Sequence, residues 1–448
     1  MNKWTLKAAL AALALCVMAV GPISAREMSL EDCVRQALEM NPDLLDAAEA
    51  IDQAGSGITQ ARSGYLPQLD FLGRYNFLEK TQTVSLPDPS TGQTVDMELD
   101  FTRDYTFQFL LSQPLYTGGR LSSSYNIARH SETMAETDLE RRRADVALDV
   151  ARAFYSLILS REAVTVAQDA IDNASEFLRV VKARYETGEA SSFEVMRAEV
   201  EVSNLEPILI RARNGINLSE LLIKKAMGAR QDADIEFVGE FKYNDYEITA
   251  ERAIEIAMEN RPELKMADLQ GSIADQSIKL ARSGWFPTLA LDFNYDFRMD
   301  KISFDSDEVE DTYGGYLVLS LPLFDGFRTR AQVAEARSIR RQADIYRGNL
   351  EDLIELEVRG VLLDVEAARE TLKSQEKNVG MAQEGLDIAN ERYLQGYATN
   401  LEVLDAQLAL NTAKRNRLEA VHDLNVAVAQ AMRSMGILLK DFKAGARQ

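Results

Sequence analysis

RYETGEASSFEVMRAE, Arg184 to Glu199, and RYLQGYATNLEVLDAQ, Arg392 to Gln407, are two versions of one stretch, displaced by 208 residues. Each lies between two long helical patterns. In each, a glycine (Gly188, Gly396) interrupts the helix, Ser191 or Thr399 follows three residues later, and Glu-Val (Glu194–Val195, Glu402–Val403) opens the next helix. Glycine supplies the left-handed backbone that ends a helix, and the hydroxyls cap the free N–H groups that begin the next. The stretch is therefore the tip of a helical hairpin. Two tips in register make the chain a duplicated object.

Outward from the tips the duplication continues. QPLYTGGR (Gln113–Arg120) matches LPLFDGFR (Leu321–Arg328), and AMG (Ala226–Gly228) matches SMG (Ser434–Gly436), again at 208. Nearer the N-terminus, ARSGYLP (Ala61–Pro67) matches ARSGWFP (Ala281–Pro287) at 220, so a 12-residue difference falls between Phe77 and Gln113. The expected layout is a signal segment over 1–25, a first repeat over 26–228, an inter-repeat segment over 229–248, a second repeat over 249–436 and a tail over 437–448.

Each repeat opens with a helix capped by Ser29 or Thr249 and carrying a proline, Pro42 or Pro262, followed by a second helix that SGYLP or SGWFP stops. Strand periodicity follows, over about 66–79 and 101–113 in the first repeat and 286–298 and 311–321 in the second. Leu69, Phe71, Tyr75 and Phe77 share one parity with polar residues between them, and Phe101, Tyr105, Phe107, Phe109 and Leu111 repeat the pattern. A soluble sandwich alternates in the same way. The aromatic weight of the apolar face and a length near ten residues favour tilted membrane strands. Four strands cannot close a barrel, so such strands would have to be pooled between copies.

From Arg120 to Tyr185 and from Arg328 to Tyr393 about 66 residues pass without proline, a helix on the order of 100 Å. Leu157, Val164, Ile171, Leu178 and Tyr185 form a seven-residue row, and Val365, Leu372, Val379, Leu386 and Tyr393 form its copy. Small residues run beside these rows, and the helices after each tip do the same. A sustained 3.5-residue period makes a left-handed coiled coil, and two rows per helix give each helix two neighbours, as in a cylinder. An antiparallel coiled-coil scaffold would need one row. Between the repeats IEFVGEF (Ile235–Phe241) reads as a short structural belt, and Pro207 is expected to kink the returning helix of the first repeat only.

Charge narrows the partners. Loss of the signal removes Lys3 and Lys7 and no acid, leaving 48 basic against 71 acidic residues and a net charge of −23. That field disfavours nucleic acid. The N-terminal lysines, the run Ala8–Val20 and the ISA before Arg26 have the layout of a cleaved secretory signal. Leu15 before Cys16 argues against lipidation. Cys33 is then the sole cysteine, and His130 and His422 have no ligand-spaced neighbours, so neither a disulfide nor a metal site is expected. There is no phosphate loop and no nucleophile–base set. No enzyme and no cofactor are expected.

In element order, in the duplication and in the paired motifs ARSGYLP/ARSGWFP, QPLYTGGR/LPLFDGFR and RYxxG, the mature chain resembles the TolC-like outer-membrane efflux and export channels. The resemblance implies a mainly helical homotrimer with a twelve-stranded transmembrane β-barrel and a periplasmic α-barrel. It implies a passive exit duct in the outer membrane of a Gram-negative bacterium, embedded in outer-membrane lipid. Its partners would be a periplasmic adaptor and an inner-membrane pump of RND, ABC or MFS type, for drug efflux or type I secretion.

The tips, about 185–193 and 393–401, would close the channel and dock the adaptor through Arg184, Tyr185, Gly188, Ser191, Glu194, Val195, Arg392, Gly396 and Thr399. The acidic constriction of the family falls on Glu402 and Asp405, although acids at a helix N-terminus also suit its dipole. Tyr393 matches a tyrosine that holds the closed tip. The arginine that some members place two residues after the glycine is Ala398 here, which leaves Arg184 and Arg392 as its possible substitutes. A soluble periplasmic adaptor or scaffold is the other reading, weakened by two aromatic hairpins that an adaptor does not need. The cargo is not legible.

Overall fold

The computed structural model describes residues 26–77, 82–87, 89–90, 92–99, 103–241, 247–299 and 310–445. The expected signal segment, Phe101, and residues 242–246 of the inter-repeat segment lie outside them. In chain order the elements are β1 (Arg26–Met28), α1 (Leu30–Met40), α2 (Pro42–Ser63), β2 (Gln68–Phe77), β3 (Gln82–Pro87), β4 (Thr94–Leu99), β5 (Arg103–Tyr116), α3 (Arg120–Glu186), α4 (Ser192–Ala226) and β6 (Ile235–Phe237). The second repeat supplies α5 (Ala250–Asn260), α6 (Pro262–Arg282), β7 (Thr288–Met299), β8 (Glu310–Ser320), α7 (Arg328–Leu394) and α8 (Asn400–Ser434), and α9 (Leu438–Gly445) ends the chain.

Ser29 and Thr249 cap α1 and α5. Pro42 and Pro262 are not inside those helices but open the next ones, where the missing N–H costs nothing. Pro207 lies inside α4, where it can donate no helical hydrogen bond; its carbonyl accepts from Arg211 Nε at 3.3 Å.

Two compact units emerge. One gathers Ala48–Asp138 and Glu263–Asn349. Its sheet is antiparallel throughout, ordered β2–β5–β7–β8, so the hairpins of the two repeats pair through β5 and β7. Phe109 stands opposite both Phe71 and Tyr295, and Phe107 opposite Phe297. These rings form a cross-strand ladder, with Phe71–Phe107 centroids at 5.9 Å and Phe107–Phe297 at 5.3 Å. A sandwich would bury this face; instead Phe71 is 59% exposed, and Leu69, Phe77, Tyr313, Leu317 and Leu319 are exposed with it. The soluble-sandwich alternative is thereby set aside. Among the described residues, the outer strands β2 and β8 each keep one edge unpaired. Unforeseen is a second ribbon, β3 with β4, inside the longer connection of the first repeat.

The other unit holds the chain up to Ala47, Leu139–Pro262 and the chain from Leu350 onward. Here α3 and α8 are neighbours, joined by Asp145–Arg433 (2.7 Å), Asp169–Lys414 (3.2 Å) and Ser156–His422 (3.3 Å). Helix α4 lies against α3 through Lys182–Glu199 and Ser160–Ser219, and α7 against α8 through Glu357–Arg433. The array therefore runs α4–α3–α8–α7. Its small-residue rows face inward: Ala167, Ala174 and Val181 of α3 and Ala413, Ala420 and Ala427 of α8 are buried. Its two border helices keep apolar side chains exposed, Met196, Val200 and Ile210 on α4 and Leu353, Leu356 and Leu363 on α7. Of IEFVGEF, Ile235–Phe237 forms strand β6, which pairs in parallel with β1, the first strand after the expected signal segment.

The joints are duplicated in detail. Asn41 Nδ2 donates to Ala226 O at 2.8 Å, and Arg261 Nη1, at the matching position, donates to Ser434 O at 3.3 Å. Gly228 and Gly436 both take positive φ, 66° and 71°, where the backbones of Met40 and Asn260 press closest.

Candidate functional site: the hairpin tips

Both tips are built alike. Gly188 (φ 82°) and Gly396 (φ 78°) end α3 and α7 in the left-handed conformation. Glu189 N–H reaches back to Arg184 O and Gly188 N–H to Tyr185 O; Tyr397 and Gly396 repeat this on Arg392 and Tyr393. This is the double bond of a Schellman motif. Ser191 and Thr399 then cap α4 and α8, and each forms a capping box with the glutamate three residues on. Glu194 Oε1 accepts from Ser191 N–H and Oγ–H at 3.2 and 3.1 Å. Glu402 Oε1 accepts from Thr399 N–H and Oγ–H, both at 3.2 Å. The helix-terminus role weighed for Glu402 is thus real. Asp405 lies one turn further along α8 and is exposed.

The two tips of a chain touch. Tyr393 is 4% exposed and donates its hydroxyl to Glu194 Oε2 at 3.2 Å. Arg184 crosses from the first hairpin to the second: its guanidinium lies 4.9 Å from the Tyr393 ring centroid, donates to Tyr393 O, and reaches Leu394 O at 3.3 Å. These carbonyls lie at the C-terminal end of α7, so a cation there also meets the negative end of the helix dipole. Of the two arginines considered as substitutes, Arg184 makes the crossing. Arg392 stays on its own tip, donating to Tyr397 O at 3.2 Å.

Burial above all, then the Glu194 charge and the hydrogen bond to it, push the Tyr393 hydroxyl up to about 12, against the pull of Arg184. Beneath it Phe177, Val181, Ala198, Leu386, Val403 and Leu410 form an apolar cluster, with Val195 and Ala398 packed on it. Ala398 is therefore part of the packing. Tyr185 and Thr399 are exposed.

Asn400, a further capping candidate beside Thr399 in the sequence, makes a different contact. It is buried and donates Nδ2–H to Glu194 O at 3.1 Å, across the same border. Gln407 and Lys414 follow at seven-residue spacing and reach Asn173 O (3.5 Å) and Asp169 (3.2 Å) on α3. A polar row at helical-seam spacing was the available signal.

The outer membrane efflux protein family model matches residues 33–229 and 253–436, once per repeat. The chain belongs to that family. It is 24% identical over 419 residues to the outer membrane protein TolC of Vibrio cholerae serotype O1, covering 92% of this chain and 91% of that protein. The outer membrane efflux protein BepC of Brucella suis biovar 1 is 22% identical over 440 residues, covering 96% of this chain and 91% of BepC. Among solved structures a membrane protein from Pseudomonas aeruginosa superposes with a TM-score of 0.76 at 19% identity, over 91% of this chain and 90% of that one. The fold is the TolC-like one, mostly helical with few strands.

Proposed function

We propose that this outer membrane efflux family member is the exit duct of a tripartite efflux or type I secretion system in a Gram-negative outer membrane. It is a passive homotrimer, opened at its periplasmic tips by an adaptor and an inner-membrane pump. The observation that carries this reading is that both units of a single chain end in two unlike, open borders. In the sheet these are β2 and β8, whose directions make a β8–β2 contact between copies antiparallel, like every pairing within that sheet. In the helical array they are α4 and α7, both with exposed apolar rows. Head-to-tail borders that close generate a ring. Three copies give twelve strands, and the exposed aromatic face then meets lipid.

Within that duct Tyr393, Glu194 and Arg184 hold the closed tip, Glu402 and Asp405 ring the constriction, and the tip surface receives the adaptor. The cargo is set by the pump. Purified protein is expected to run as a detergent-stable trimer and to conduct in planar bilayers, and Glu402→Gln with Asp405→Asn to raise that conductance. A monomer that stays soluble without detergent overturns the reading and favours the adaptor alternative.

A further inference from the structure

In a duplicated chain, each contact between the halves has a counterpart reached by moving both partners along the repeat. At the tips that counterpart is missing from the single chain. The displacement of 208 carries Arg184, Tyr185 and Glu194 onto Arg392, Tyr393 and Glu402. Tyr393 of the second tip is buried on Glu194 of the first. The reciprocal partners, Tyr185 of the first tip and Glu402 of the second, are not joined: Tyr185 is 50% exposed and Glu402 is exposed as well. The existing clasp joins the end of α7 to the start of α4 across the border between the first and second hairpins of one chain. The repeat image of that border lies between the second hairpin of one copy and the first hairpin of the next.

We propose that Tyr185 of one copy donates its hydroxyl to Glu402 of the next, with Arg392 over its ring as Arg184 lies over Tyr393. The inference rests on the ring reading above and names the contact that closes the ring at the tips. The carboxylate is prepared for it. Glu194 spends Oε1 on its capping box and receives Tyr393 on Oε2; Glu402 holds its capping box with Oε1 in the same way, which presents Oε2.

An independent position agrees. The pair Asp169–Lys414, which joins α3 to α8, maps onto Lys377 of α7 and Glu206 of α4. The two charges have exchanged places and remain opposite, and both residues are exposed. Charge complementarity of this kind fixes register between partners.

The test is a double-mutant cycle read as conductance of the purified channel in planar bilayers. Tyr185→Phe, which alters no charge, is expected to raise the open fraction roughly tenfold, about 1.4 kcal/mol. Adding Glu402→Gln to it should raise it no further than the larger single change, whereas adding Glu194→Gln should multiply. An unchanged conductance in Tyr185→Phe, or full multiplication with Glu402→Gln, overturns the clasp. A second arm covers variants that do not assemble. A flexible bis-maleimide should join copies covalently in Tyr185→Cys/Glu402→Cys, but link only within one chain in Glu194→Cys/Tyr393→Cys. Absence of copy-to-copy linking in a detergent-stable trimer also overturns it. A monomeric, non-conducting wild type instead overturns the duct reading itself.

Discussion

Tyr393 concentrates the chemistry of the tip in one hydroxyl. An ordinary tyrosine ionises near pH 10; here burial and Glu194 hold the proton on until about 12. Below pH 10 the hydroxyl is protonated whether the tip is folded or unfolded, and the clasp contributes fully. Between about pH 10 and 12 the unfolded chain releases the proton first, so stability falls as pH rises through that window. Tyr393→Phe is expected to flatten this slope when thermal unfolding in detergent is followed from pH 8 to 12. A slope unchanged in the phenylalanine variant would place the titration elsewhere.

At this scale the sequence was readable up to a point. The resemblance picked out Tyr393, but that Arg184 and not Arg392 crosses to it depends on which hairpins are neighbours, and that is a property of packing. Asn400 was passed over because an amide after a capping threonine reads as a second cap, while its burial comes from the facing hairpin.

Among the elements, the joints at the ends of the hairpins are the most constrained. A Cβ on Gly228 would stand 2.3 Å from Met40 O, and one on Gly436 2.9 Å from the carbonyl of Asn260, both on a backbone of positive φ. Left-handed conformations cost of order 1–3 kcal/mol for a side-chain-bearing residue, and backbone cannot give way as a flexible side chain can. Gly228→Ala and Gly436→Ala are both expected to lower the midpoint of urea unfolding in detergent, Gly228→Ala by more. Equal or negligible losses would show that the joint relaxes. The helices, caps and tips were legible because each is decided locally, by glycine, a hydroxyl and a seven-residue period. The β3–β4 ribbon was not, since its residues lie in the stretch that has no counterpart in the second repeat and so had no echo to check against. The pairing of β1 with β6 likewise joins segments some 200 residues apart in sequence.

For the whole molecule, the duplication that revealed the fold also sets how copies should meet in the sheet. Within one chain, β5 pairs with β7 so that Phe109 faces Tyr295. Moving both along the repeat puts Leu317 of β8 opposite Tyr75 of β2 in the next copy. Beyond the strand, Gly118 (φ 61°) holds its place against Phe286, 2.5 Å from a would-be Cβ, while Gly326 takes the same φ, 66°, and faces open space. Leu66, the repeat equivalent of Phe286, is the residue that would fill it. Strand β5 runs on to Tyr116 beside its partner, whereas β8 stops at Ser320, short of the matching Phe324, as expected of an edge whose partner is another copy.

Directly opposed residues bring Cβ atoms to about 4.5–5.5 Å and diagonal ones only to about 7–8 Å, so mild oxidation discriminates register. Leu317→Cys/Tyr75→Cys should give disulfide-linked trimers on a non-reducing gel, and Leu317→Cys/Gly73→Cys should not. Cys33 will not compete, being fully buried with its thiol pushed up to about 12, mainly by that burial. Crosslinking of the shifted pair in place of the first would mean that the sheet closes in a register the internal repeat does not dictate.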